Sequence, residues 1–133
     1  MTTKPKYHAM TEESLHCAVC DYIRLQYPKA MFNTDLSGIR LTPGLAAKVS
    51  RLRSHKGFPD IMIMEPRGKY YGLFLELKKE GTKLFNRQNQ YKTDHLKQQA
   101  EVHFELISRG YVADFAIGFD HAKRIIDWYM KLK

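Results

Sequence analysis

The 133-residue chain is poor in cysteine, with two residues, both inside HCAVC at positions 16 to 20. A structural zinc site needs a second ligand pair, and no other Cys exists to supply it. The flanking pattern is helical, so Cys17 and Cys20 are expected as small buried hydrophobes with no metal or redox role. Long apolar runs are missing too. None approaches the roughly 18 residues that a membrane span requires. The opening MTTKPKYHAMTEE has neither an apolar core nor a small-residue cleavage site, so it does not read as a secretory signal. A soluble protein without membrane partners, in the reducing cytoplasm, is expected. Acid is the other scarcity: Asp and Glu number 14 against 22 Lys and Arg, which leaves a formal charge of +8 and a pI near 9.5. That imbalance favours a polyanionic partner, nucleic acid first, because phosphate neutralisation by Lys and Arg releases counterions. Internal repeats are absent.

What is present fits one domain with its own core. Residues 1–10 are polar and unpatterned, a flexible arm; residues 11–133 form a single domain. Thr11 is placed to cap a helix in which Leu15, Val19, Tyr22 and Ile23 recur at helical spacing, with Glu12 on the edge of that stripe. Residues 30–35 read as a short strand, and residues 36–44 as a loop. Residues 44–56 read as a helix whose second half crowds Lys48, Arg51, Arg53, His55 and Lys56 with no balancing acid, a phosphate-contacting segment. Two strands then flank the turn EPRGK. Residues 82–94 are polar and amide-rich, a long loop or protruding hairpin. A helix over 95–109, with Leu96, Gln99, Val102, Leu106 and Ile107 on one face and Gly110 as its stop, leads to a strand at 111–117 and a closing amphipathic helix. This alternation predicts an α/β sandwich, a mixed central sheet flanked by helices, with the two apolar hairpin strands central.

Those two strands end in charge. Asp60 opens IMIM, and Glu76 and Lys78 close YYGLFLELK. Side chains alternate along a strand, so Glu76 and Lys78 share a face while Leu77 points into the core. A hairpin centred on Gly68 sets Asp60 opposite Glu76, with Cβ atoms roughly 5 Å apart. Two carboxylates that close repel each other unless a cation joins them. Mg²⁺ suits such a pair, since it takes oxygen ligands and is commonly held by one or two carboxylates together with substrate phosphate. Bound there, it polarises a phosphoryl oxygen and acidifies a water. Lys78 is placed to orient that water or to offset charge on the phosphoryl oxygens.

Pro59-Asp60, fifteen residues, then Glu76-Leu77-Lys78 resembles the PD-(D/E)XK nuclease signature. GFPDIMIM, GLFLELKKEGTKL and QAEVHFELISRGY, with Gln99 eleven residues before Gly110, narrow the likeness to the virus-type replication-repair nuclease family, VRR-NUC, in its small stand-alone phage and bacterial forms. The resemblance covers roughly residues 11–130. It implies a restriction-endonuclease-like fold in which Asp60 and Glu76 are metal ligands, the Leu77 carbonyl a further one, and Lys78 the catalytic lysine. Glu12 matches the family's acidic residue on the first helix, at the metal directly or through water, and Gln99 the glutamine near the site. It further implies a Mg²⁺-dependent deoxyribonuclease, with Mn²⁺ substituting, that acts as a homodimer on branched DNA such as a Holliday junction, in a bacterial or phage-infected cell. Larger members run almost directly from the ELK strand into the glutamine helix, so residues 82–94 are an insertion, a substrate wedge or a dimer arm. A binding module that does not cut, and a nuclease acting on RNA, are the alternatives.

Overall fold

The computed structural model describes residues 10–35 and 40–133. The expected arm at 1–10, but for Met10, and residues 36–39 of the expected loop lie outside the described residues. Helix α1 (Glu12–Gln26) starts where Thr11 accepts a hydrogen bond from the Ser14 N–H. It buries Leu15, Val19, Cys20 and Ile23. Cys17 is exposed, against expectation. It lies about 200° round the helix from Leu15, on the solvent side.

Strands β1 (Phe32–Thr34), β2 (Ile61–Ile63), β3 (Leu73–Lys78) and β4 (Val112–Ile117) form one sheet in that order. β1, β2 and β3 run antiparallel; β4 joins β3 in parallel. A parallel pair needs a crossover, and helix α3 (Asp94–Ser108) supplies it. Helix α4 (Phe119–Met130) returns over the sheet to pack with α1. The result is the mixed, helix-flanked α/β sheet of a restriction-endonuclease-like fold, with the hairpin strands central as the sequence predicts. Among the described residues no helix is long and apolar enough to cross a membrane.

The alternation along β3 divides the molecule. Leu73, Leu75 and Leu77 join Ile61 and Ile63 in a core closed by Leu15, Val19, Ile126 and Tyr129 from α1 and α4. Each such buried side chain contributes about 1.5–3 kcal/mol relative to exposure. Tyr22 and Tyr27 both donate to Asp127 Oδ1, at 2.5 and 2.7 Å, and fasten α1 to α4. Phe74, on the opposite face, packs with Val102, Leu106 and Ala113 beneath α3. Ile107, expected on that buried face, is half exposed. The register pairs Ile61 with Leu75 and Ile63 with Leu73, which centres the hairpin on Gly68 and brings Asp60 level with Glu76.

Two segments differ from the sequence reading. Helix α2 (Pro43–Leu52) stops short of residue 56 and buries no residue. Arg53 is extended, and its guanidinium pairs with Asp35 at 3.3 Å, so the chain turns back toward β2. Residues 82–94 do curl into a hairpin-like reversal, bridged between Phe85 and Tyr91. It does not protrude, because Leu84 and Tyr91 pack on Leu96, Ala100 and Phe115.

Candidate active site

One end of β2 and β3 gathers polar groups inside the hydrophobic frame. Asp60, Glu76, Lys78 and Gln99 are all buried. Charge in such a place is costly unless it is paired and hydrogen-bonded. Asp60 Oδ2 accepts from the Leu77 N–H at 2.7 Å. Glu76 Oε1 accepts from Gln99 Nε2 at 2.7 Å and lies 3.6 Å from Lys78 Nζ. Glu76 Oε2 is buried with no partner.

Burial, and then the neighbouring Asp60 carboxylate, push the Glu76 pKa up to about 9, against the opposing pull of Lys78. Asp60 is also raised by burial, although the Leu77 N–H, His16 and Lys78 draw it back. Glu76 therefore holds a proton at neutral pH that a cation would displace. An unpartnered carboxylate oxygen beside a second carboxylate is a hard oxygen donor set, which fits Mg²⁺ or Mn²⁺ better than a thiophilic ion.

These groups line a cavity of about 280 Å³. Glu12 lies at its edge, exposed, and no group of three or more His, Cys, Asp or Glu side chains able to hold a metal occurs among the described residues. The Asp60 and Glu76 carboxylates are thus brought together, and Glu12 is not brought into a cluster with them. Leu77 contributes its N–H to Asp60.

The expected phosphate-contacting segment divides. Lys56 lines the cavity and is exposed. Arg53 lines it as well, with its guanidinium engaged by Asp35. Lys48 and Arg51 sit on α2, exposed and outside the cavity wall.

The wall residues to which the sequence reading gave no role include His16, His95 and Gly57. His16 follows Glu12 by one helical turn, and its Nε2 is buried without a partner. His95 precedes Gln99 by one turn, with its Nε2 3.2 Å from Gln99 Nε2. An amide that donates one hydrogen to Glu76 thus has its second directed at His95. Gly57, at φ +77, lets the chain pass against Gln99: a Cβ there would lie 3.3 Å from the Gln99 backbone. The signal for both histidines was i,i+4 spacing from residues already singled out.

No protein-family model and no curated protein matches the chain. Solved structures do. One described as a VRR_NUC domain protein is 30% identical, with a TM-score of 0.68 over 95% of this chain and 93% of its own. Another, described as a VRR_NUC domain, is 20% identical with a TM-score of 0.47 over 86% of this chain and 97% of its own. A restriction-endonuclease-like sheet that buries an Asp and a Glu-x-Lys at one strand end is the frame of a nuclease-type domain. The chain belongs to the VRR-NUC domain family.

Proposed function

We propose that the protein is a metal-dependent nuclease that hydrolyses DNA phosphodiesters at the cavity formed by Asp60, Glu76, Lys78 and Gln99. The observation that carries this is Glu76 itself: buried, with one oxygen unpaired and its pKa raised to about 9 beside a second carboxylate. A fold does not keep such a group for stability, since replacement by an apolar residue is often neutral or better.

Asp60 and Glu76 would hold Mg²⁺, or Mn²⁺ in its place, with the Leu77 carbonyl as a further ligand and Glu12 reaching it directly or through water. When bound, the ion supplies positive charge that polarises a phosphoryl oxygen and acidifies a nearby water. Gln99 holds the Glu76 carboxylate in one orientation through its 2.7 Å bond. Lys78, 3.6 Å from Glu76, directs its ammonium at the attacking water and at charge gathering on the phosphoryl oxygens. Water adds to phosphorus and gives up a proton to solvent, the bond to the leaving oxygen breaks, and that oxygen departs with the electron pair and takes up a proton from solvent. Lys56 and Arg53 receive the flanking phosphates, with Lys48 and Arg51 on α2 extending the contact. The net charge of +8 supports a polyanionic substrate. Homodimeric action on branched DNA is supported by the resemblance to small stand-alone family members.

The test compares wild type, Glu76→Ala and Lys78→Ala on labelled four-way, duplex and single-stranded DNA and matched RNA, with Mg²⁺, Mn²⁺ or EDTA. Cleavage by the wild type alone, abolished by EDTA, is the expected result. Equal cleavage by Glu76→Ala would refute the assignment. Sedimentation of the same samples reads the oligomeric state.

A further inference from the structure

Next to the acidic cavity lies a second, more open depression of about 700 Å³, between residues 54–56 and α3. Lys56 and Gln98 belong to both walls, so the two spaces adjoin. On α3 its lining follows Gln98, Glu101, Glu105 and Ser108, a single stripe at spacings of three and four. At 1.5 Å per residue that stripe is roughly 15 Å long. Its charge is graded. The end shared with the catalytic cavity carries the Lys56 ammonium; Glu101 lies one turn along α3 from Gln98, and Glu105, paired with Arg109, lies farther out. A phosphate is favoured beside Lys56, and the Glu101 carboxylate one turn on favours a hydrogen-bond donor in its place.

Phe104 stands at the wall of this depression, 63% exposed, and belongs to none of the hydrophobic clusters of the described residues. Its helix neighbours Val102 and Leu106 already close the core below. The fold therefore does not use the ring. A flat apolar face, hydrogen-bond acceptors on Glu101 and Gln98, and a cation toward the reacting phosphate together match a nucleotide whose base is not paired. A peptide or lipid would have no reason to extend from a phosphodiester in the adjoining cavity.

We propose that this depression is a nucleobase subsite: an unpaired base beside the scissile phosphodiester stacks on Phe104 and offers its N–H groups to Glu101 and Gln98. The inference rests on the nuclease reading and specifies its substrate, because a base inside a continuous duplex must first be unstacked at a cost of a few kcal/mol. DNA that is single-stranded or opened at the cut is then preferred over closed duplex.

The experiment measures binding in Ca²⁺, and cleavage in Mg²⁺, of fluorescein-labelled single-stranded and fully duplex DNA of one sequence, and of the single strand with an abasic residue beside the cut. Phe104→Ala is expected to weaken binding of the single strand about tenfold, the range of one base stacked on an aromatic ring, and to leave duplex binding unchanged. Phe104→Trp keeps a stacking face and is expected to restore binding. The abasic strand is expected to bind wild type as poorly as the intact strand binds Phe104→Ala, with no further loss when the two are combined. Equal losses on all substrates, or none, overturn the subsite. So does a wild-type dimer that Phe104→Ala converts to monomer in sedimentation, which gives the face to a second copy of the chain. Selective binding without cleavage by the wild type would overturn the nuclease reading and uphold the subsite.

Discussion

Glu76 has an ordinary pKa of 4.5 when unfolded and about 9 when folded, so the folded chain binds its proton more tightly than the unfolded chain does. Stability carried by that proton is fully present below pH 4.5 and is lost as pH rises toward 9. Asp60 is shifted in the same direction. In EDTA the melting temperature is therefore expected to fall across this window. Glu76→Gln, which is neutral at every pH, is expected to flatten much of the slope and to melt above wild type at pH 8. Differential scanning calorimetry at a series of pH values checks both. A second expectation concerns His95. If it holds the Gln99 amide, and through it Glu76, then His95→Phe lowers Mn²⁺ affinity about tenfold while His95→Gln, which retains an acceptor, preserves it. Isothermal calorimetry separates the two. Asp60, Glu76 and Lys78 were legible because strand alternation and a hairpin centred on glycine bring them together in space. His16 and His95 were not, because i,i+4 spacing from Glu12 and Gln99 is too common a pattern to single out a histidine until the helix is docked.

The order of elements was legible throughout, since each long element has a period, a cap or a stop: Thr11 and Gly110 mark two ends without ambiguity. Where the reading missed, tertiary contacts had overridden local pattern. The basic run at 53–56 continues the helical spacing, yet Arg53 is drawn to Asp35 and α2 ends at Leu52. Residues 82–94 look free in sequence because Leu84 and Tyr91 pack on residues of α3 and β4 that are distant in sequence or register. Gly57 connects this element to the site. At φ +77 and 3.3 Å from the Gln99 backbone, Gly57→Ala is strained and presses on α3. It is expected to cost about 1–3 kcal/mol in urea denaturation and to depress cleavage beyond what the lost stability explains. Lys48 and Arg51, on a helix that buries nothing, can be changed to Ala without loss of fold. Each such change is expected to reduce the slope of log K against log salt by about 1, uniformly across sequences. Unchanged slopes would remove α2 from the DNA interface.

At the scale of the whole molecule, one apolar sheet does two things. Its Leu73, Leu75 and Leu77 face makes the core, and its opposite face holds Glu76 and Lys78 beneath α3. The same alternation thus builds stability and chemistry, and the excess positive charge outside draws a polyanion to both. Metal should then couple to folding: an ion bound only by the folded pair raises the melting temperature, more at pH 8 than at pH 5, where Glu76 keeps its proton more fully. The most direct test is cleavage of one labelled DNA by wild type and Glu76→Gln, side by side in Mg²⁺ and in EDTA, with both proteins shown folded. The expected result is hydrolysis by wild type in Mg²⁺ and none in the other three reactions. Hydrolysis by Glu76→Gln at the wild-type rate, or by wild type in EDTA, would contradict a metal-dependent active site built on Asp60 and Glu76.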